Sequence, residues 1–342
     1  NSSSSIDDDN NNQEKYSSGW PASGKLAGQL ITAVEEGVKN RKKTPGIFQI
    51  GNIDAVENKA LLQERLETII DAEIKLPNVG AAGNQGGRDE MEDSHVVCEL
   101  TIGGKEAFFY GVFDGHGDEG NVAEYLKVNL PGLLASKWGN KELTELTDGD
   151  ITNAIVESCF EMERAVVDIE GGSTATFVLQ VGDGRLYTAN VGDSRTVLMK
   201  KDDNFYQLSE DADPLNSRFA KRIEKMNHTV VQKGAMKGYV NGKVAVARDI
   251  GLSFLSPRPK ITFIDRDVET DLTQGELGYS KGDYLVLACD GLWDVATNNE
   301  VYQAIWQMEE AGKNVRQMAG YLAFGAQMHK SRDNVTVVVV KL

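Results

Sequence analysis

The sequence predicts an α+β fold built on antiparallel sheets rather than a doubly wound parallel sheet. Two observations carry that prediction. Short apolar runs come in adjacent pairs, whereas α-helical patterns fall mostly in blocks between the pairs. Asp183-Gly184 lies between two of the runs, and Asp-Gly at such a place is a strong hairpin signal. No internal repeat of 20–50 residues stands out.

In chain order, residues 1–22 are polar, acidic and low in complexity, and read as a disordered tail. Residues 23–80 read as a helical extension with two patterns, near 24–42 and 56–72. Leu26, Leu30, Val34 and Val38 recur at four-residue steps, and Leu62, Leu66, Ile69 and Ile70 do similarly. Between them RKKTPG carries a Pro and a Gly that break the helix. Packing onto the main body is the expected use of these helices, with a regulatory or partner role as the alternative.

From about residue 80 the texture changes to short apolar runs split by turn signals, and residues 81–342 read as the main body of the chain. Strands are expected at 94–100, 107–113, 175–181, 185–190, 196–200, 284–289 and 335–341. Helices are expected near 121–134, 150–168, 216–227, 299–311 and 314–329. The tripeptide Val-Gly-Asp occurs at 181–183 and again at 191–193, and both copies fit hairpin turns.

Composition narrows the function. A net charge of −16 disfavours a non-specific nucleic-acid binder or an anionic membrane surface as partner. Hydrophobic residues make up 40% of the chain, enough for a sizeable core, and no run approaches the length of a membrane span. Three cysteines without a CxxC argue against a disulfide framework and for a reducing compartment, cytoplasmic or nuclear. The first residue is Asn, so the chain reads as a fragment or processed form that could have lost a targeting signal. A monomer is expected.

The chemistry points to carboxylates. Asp114 follows the run at 107–113, Asp290 follows 284–289, Asp193 follows 185–190, Glu92 and Asp93 precede 94–100, and Asp333 precedes 335–341. Asp294 lies four residues after Asp290, one helical turn on. Any one of these acids also reads as a turn former or helix cap. Together they can meet at one edge of an antiparallel sheet, where like charges need a counter-cation. Without His or Cys pairs at ligand spacing, oxygen-only ligation suits Mg²⁺, Mn²⁺ or Ca²⁺ over Zn²⁺ or Cu²⁺. Gly115 lets its carbonyl approach a metal closely. Arg88 can fork onto a phosphate, or be an ordinary surface arginine. His116 can protonate a leaving group, or be a core histidine. There is no P-loop, no GxGxxG after a strand and no GxSxG, which makes activated water the natural attacker.

Read in order, RDEMED (88–93), FYGVFDGHG (109–117), GSTA (172–175), ANVGDSR (189–195), VAVAR (244–248), LACDGLWDV (287–295) and SRDNVT (331–336) resemble the metal-dependent protein phosphatases of the protein phosphatase 2C family. The resemblance spans about 83–342. It implies an αββα four-layer sandwich, two antiparallel sheets packed face to face and flanked by helices. It implies two Mn²⁺ or Mg²⁺ ions per active site, with room for a weaker third, and phosphoserine or phosphothreonine in proteins as substrate. A metal-activated bridging water would attack phosphorus in line.

Carried over by motif, Asp114, Gly115, Asp290 and Asp333 would be direct metal ligands, and Glu92 and Asp93 would hold metal-bound water. Asp193 would help hold the third metal with Asp290 and Asp294 near it. Arg88 would grip the phosphate, His116 would be the general acid, and Asn334 would support Asp333.

The chain departs from the family pattern at Asp211-Ala212-Asp213-Pro214, where Asp-His-Lys-Pro is common. It departs again at Arg248-Asp249-Ile250-Gly251-Leu252, where Arg-x-x-Gly-Asp is common. Both bear on substrate recognition more than on chemistry. Asp118 and Glu119 add acid beside the site, which predicts a preference for basic residues flanking the phosphosite. The alternatives are a pseudophosphatase that keeps the fold as a binding module and a phosphohydrolase of small molecules on the same fold.

Overall fold

Alternate residues of the central strands enter different cores, and that period of two builds the layers. A computed structural model describes residues 59–233, 237–271 and 276–342. The expected tail and the helical pattern at 24–42 lie outside the described residues.

β14 (Val335–Lys341) shows the pattern most simply. Val335, Val337 and Val339 pack in an outer core with helices, while Val338 and Val340 pack in an inner core between the sheets. β13 (Tyr284–Ala288) sends Tyr284, Val286 and Ala288 outward, and Leu285 and Leu287 inward. β3 (Lys105–His116) does the same from the other sheet, with Phe109 and Phe113 outward and Tyr110 and Val112 inward. Strands buried on both faces need a helical layer on each outer face, and four layers follow.

The smaller sheet runs β1 (Val79–Asn84), β14, β13, β7 (Arg195–Met199), β8 (Phe205–Gln207). The larger runs β12 (Gly278–Tyr279), β11 (Lys260–Arg266), β6 (Leu186–Val191), β5 (Ala175–Val181), β3, β2 (Asp93–Ile102), with β4 (Gly172–Ser173) on the end of β3. A separate hairpin joins β9 (Val230–Lys233) to β10 (Lys237–Val240). The pairings are antiparallel except β11 with β12, which is parallel.

Helices α2 (Asn121–Ser136) and α3 (Asp148–Ala165) cover the larger sheet. Helices α5 (Asp290–Trp293), α6 (Asn298–Glu310) and α7 (Val315–Met328) cover the smaller one. Capping boxes start α3 at Thr147, α6 at Thr297 and α7 at Asn314. The pattern expected at 56–72 is helix α1 (Lys59–Ile69), whose Leu62 and Leu66 are buried in the same outer core as α7. Helix α4 (Ser217–Lys225) sits with the β9–β10 hairpin over a small core of its own, formed by Ala212, Phe219, Ile223, Val240, Val246, Ala247 and Leu255.

Several sequence expectations change, and β8 to β12 are strands that the expected set did not include. β3 does not stop at 113 but runs on through Asp114, Gly115 and His116. β1, with the sequence VGAAGN, has one β-branched residue, Val79, and no aromatic one, and was not expected. The two Val-Gly-Asp copies also differ. The first turns a hairpin between β5 and β6, with the Gly184 amide donating to the Val181 carbonyl at 2.9 Å. The second, expected as a hairpin too, instead carries the chain from β6 in the larger sheet to β7 in the smaller. That crossing puts Asp193 between the sheets.

Candidate metal centre

The acids gather at one end of the sandwich, and both sheets contribute. Asp93 begins β2 and lies directly across the ladder from Asp114 on β3. Asp290 begins α5 just after β13, and Asp333 precedes β14. Ligand oxygens of Asp114, Asp193 and Asp290 lie within 4.8 Å of one another, as do one carboxylate oxygen each of Asp93 and Asp114 and the Cys289 sulfur. A cavity of about 220 Å³ opens over this cluster, lined among others by Arg88, Glu92, Asp114, Gly115, Asp193 and Asp333. The convergence expected at one sheet edge is thus a convergence between two sheets.

Burial and mutual repulsion shape the electrostatics. Burial pushes the Asp93 carboxyl up to about 7, with Asp290 and Asp333 adding to the rise. Asp114 is held well above the usual carboxylate range by burial and then by Asp93 and Asp290. Asp193 is raised likewise, by burial and by Asp290. Asp93 Oδ2 is buried with no hydrogen-bond partner. Carboxylates so placed either take up protons or take up a cation.

The donor set is oxygen-rich and hard, and it fits a divalent cation such as Mg²⁺ or Mn²⁺. Cys289 is engaged within the core. Burial holds its thiol well above its ordinary pKa, and the sulfur already accepts from the Thr336 amide at 3.2 Å.

Neighbouring residues hold these acids in place. The Asp114 amide donates to Thr174 Oγ1 at 3.1 Å, and Thr174 shares a 2.7 Å hydrogen bond with Ser194. Asn334 was expected to support Asp333, and its amide does donate to Asp333 Oδ1 at 2.9 Å. Its side chain does more elsewhere. It accepts from the Glu92 amide at 2.8 Å and donates to the Gln85 and Glu90 carbonyls, which pins the loop that carries Arg88 and Glu92. Gly115 is needed by packing as well, since a Cβ there would sit 2.4 Å from the Glu92 carbonyl oxygen. Glu92 in turn accepts from the Gly117 amide at 3.1 Å.

Arg88 donates to Asp333 at 2.9 Å from its half-exposed position on the cavity rim. Asp294 does not line the cavity, and it pairs with Lys237 of β10 at 2.7 Å. Its carboxylate joins the other acids through that shared cation partner, since Lys237 Nζ also lies 2.8 Å from Asp290 Oδ2.

Two participants escaped the sequence reading. His116 Nε2 lies 3.0 Å from Asp249 Oδ2, and the Asp249 side chain is fully buried. Burial alone would lower the His116 pKa, but the Asp249 carboxylate beside it outweighs that and raises it, as an ion pair whose Nε2 and Oδ2 are not aligned as a hydrogen bond. Gly172 makes room for the pair, because a Cβ there would meet Asp249 Oδ1 at 2.2 Å and His116 Nε2 at 2.8 Å. The signal for Asp249 was its place in the departure at 248–252. Lys237 is the second, and it had no sequence signal. In the other departure, Ala212 is buried in the small core beside the site, and Asp213 accepts from the Leu215 amide at 2.8 Å.

Comparison with known proteins agrees with this geometry. Residues 78–335 match the family model of protein phosphatase 2C. "Probable protein phosphatase 2C member 13, mitochondrial" from Oryza sativa subsp. japonica is 34% identical over 270 residues, covering 77% of this chain and 67% of that protein. "Probable protein phosphatase 2C 76" from Arabidopsis thaliana is 34% identical over 272 residues, covering 77% of this chain and 58% of that protein. Among solved structures, a serine-threonine phosphatase 2C from Toxoplasma gondii shares the fold with a TM-score of 0.64, at 21% identity, over 78% of this chain and 96% of that one. No helix among the described residues is long and apolar enough to cross a membrane.

Proposed function

The chain belongs to the protein phosphatase 2C family, a family of metal-dependent phosphatases, and from that premise we propose that it hydrolyses phosphoserine and phosphothreonine in proteins. The observation that carries the reading is the convergence of Asp114, Asp193 and Asp290 within 4.8 Å, from elements of both sheets, beneath a cavity rimmed by Arg88.

In this reading Asp114, Asp290, Asp333 and the Gly115 carbonyl hold two divalent cations, Mn²⁺ or Mg²⁺. Glu92 and Asp93 orient water around them, and Asp193 with Asp290 and Asp294 offers a weaker third place. When bound, such cations polarise water and phosphate and neutralise developing charge.

The chain's own groups do the rest. Arg88 reaches the phosphate from the rim, exchanging its Asp333 contact for phosphate oxygens. His116 holds a proton for the departing serine or threonine oxygen, and Asp249 keeps the imidazole oriented and protonated. Because Nε2 faces the buried Asp249, Nδ1 is the nitrogen left to donate. An alkoxide is a poor leaving group, so a positioned acid matters most for protein substrates.

The test compares an aryl phosphate with a phosphothreonine peptide, in Mn²⁺, in EDTA, and with Asp290→Asn. Activity is expected only in the unaltered chain with Mn²⁺, and turnover that survives both chelation and the substitution overturns the reading. Turnover of small phosphate esters without the peptide would favour a small-molecule phosphohydrolase.

A further inference from the structure

The ammonium of Lys237 sits where a cation is wanted. Its Nζ lies 2.8 Å from Asp290 Oδ2 and 2.7 Å from Asp294 Oδ2. The two acids are one helical turn apart, with the Asp294 amide donating to the Asp290 carbonyl at 2.8 Å. Asp193 is drawn into the same group, since its carboxylate oxygen lies within 4.8 Å of one from Asp290. These are the three acids assigned above to a third, weaker cation, and the inference rests on that assignment.

Lys237 does not come from the sandwich. It belongs to β10 of the two-stranded hairpin, whose Val230 and Val240 pack into the small core with α4. Tyr239 of the same strand, and Lys243 to Val246 just beyond it, line the cavity. The Lys237 ion pairs therefore tie this flap to the floor of the site.

We propose that Lys237 is a built-in cation of the third-metal subsite, so that a divalent ion binding Asp193, Asp290 and Asp294 must displace it and thereby releases the β9–β10 hairpin from the site. An ammonium and a divalent ion compete for the same carboxylate oxygens. Each therefore weakens the other's hold by the same factor, as linkage requires. The substrate's access to the cavity then depends on which cation is bound.

The test is Mn²⁺ binding to the full chain, followed by the EPR signal of free Mn²⁺, for the unaltered protein, Lys237→Met and Lys237→Arg. Lys237→Met is expected to bind its weakest Mn²⁺ about tenfold tighter. Lys237→Arg, which keeps the charge, should stay close to the unaltered chain. Chymotrypsin cleavage at Tyr239 should rise with Mn²⁺ in the unaltered chain and be high without it in Lys237→Met. Should Lys237→Met not fold, Asp294→Asn removes half of the tie and should give the same metal-independent rise in cleavage. Unchanged weak-site affinity together with unchanged cleavage would overturn the proposal. Loss of the tighter Mn²⁺ equivalents in the unaltered chain would be a different result, overturning the catalytic metal assignment on which it stands.

Discussion

With cations removed, the protein should become less stable as pH rises from 5 to 7, and Asp93→Asn should remove part of that slope. Asp93 is only 8% exposed, its Oδ2 has no partner, and burial lifts its carboxyl from 3.8 to about 7. Between those values the folded chain keeps a proton that the unfolded chain has released. Stability therefore grows as pH falls through about 7 and levels off near 4. One such proton is worth on the order of 1 kcal/mol per pH unit, a few kcal/mol across the gap.

Asp114 and Asp193 are raised and add in the same direction. His116 is raised too, so its contribution is present at low pH and lost as pH climbs through its folded value. Asp71, Asp150, Asp183 and Glu309 are lowered from 3.8 or 4.5 and act below the window.

Urea unfolding in EDTA at pH 5, 6 and 7 measures the slope. Asp93→Asn should flatten it by roughly 1 kcal/mol per pH unit over pH 5–6, where Asp93 holds its proton mainly in the folded chain. Mn²⁺ at about a hundred times its Kd should restore about 2.7 kcal/mol, with more effect at pH 7 than at 5 because protons compete for the same oxygens. Equal slopes for Asp93→Asn and the unaltered chain would refute the argument.

Gly172→Ala and Asp249→Asn both strike the His116–Asp249 pair, the first by a Cβ 2.2 Å from Asp249 Oδ1 and the second by removing the charge. Each should lower kcat on a phosphothreonine peptide by about 10²-fold and on an aryl phosphate far less, since only the peptide's leaving oxygen needs a proton. Equal losses on both substrates would remove His116 from the acid role. Leu66→Ala leaves a cavity between α1 and α7, where Leu66 is 1% exposed. It should cost about 2–5 kcal/mol in urea unfolding, and a cost under about 1 kcal/mol would mean that α1 is only lightly docked.

Much of the fold was legible because its strands are strongly patterned. β5 and β14 fall at 175–181 and 335–341, as their apolar runs predicted. β1 was not legible, since VGAAGN has little strand propensity beyond Val79 and is a strand because it pairs with β14 in register. The same holds for β10, which is four residues long and rests on its pairing with β9 and on a small local core.

Within the site, residue type and motif order identified Asp114, Gly115, His116 and Asp290 as candidates, because a metal needs those donors at strand ends. They could not show that Asp193 rides the crossing between two sheets. Nor could they show that a buried aspartate from the chain's own departure at 248–252 would meet His116.

The donor atoms are a property of the local sequence, as are the periodicities that place them at strand ends. Their separation in space is not. Asp93 and Asp114 lie on strands of the larger sheet, Asp290 and Asp333 flank strands of the smaller, and the packing of Tyr110, Val112, Leu285 and Leu287 between the sheets brings them to one cavity. Lys237 shows the same division most sharply. A lysine in a four-residue strand carries no signal in the chain, and its place at the site comes from an ion pair that spans 53 residues. Hydrophobic burial sets the distance between the sheets, and that distance decides how strongly the carboxylates repel.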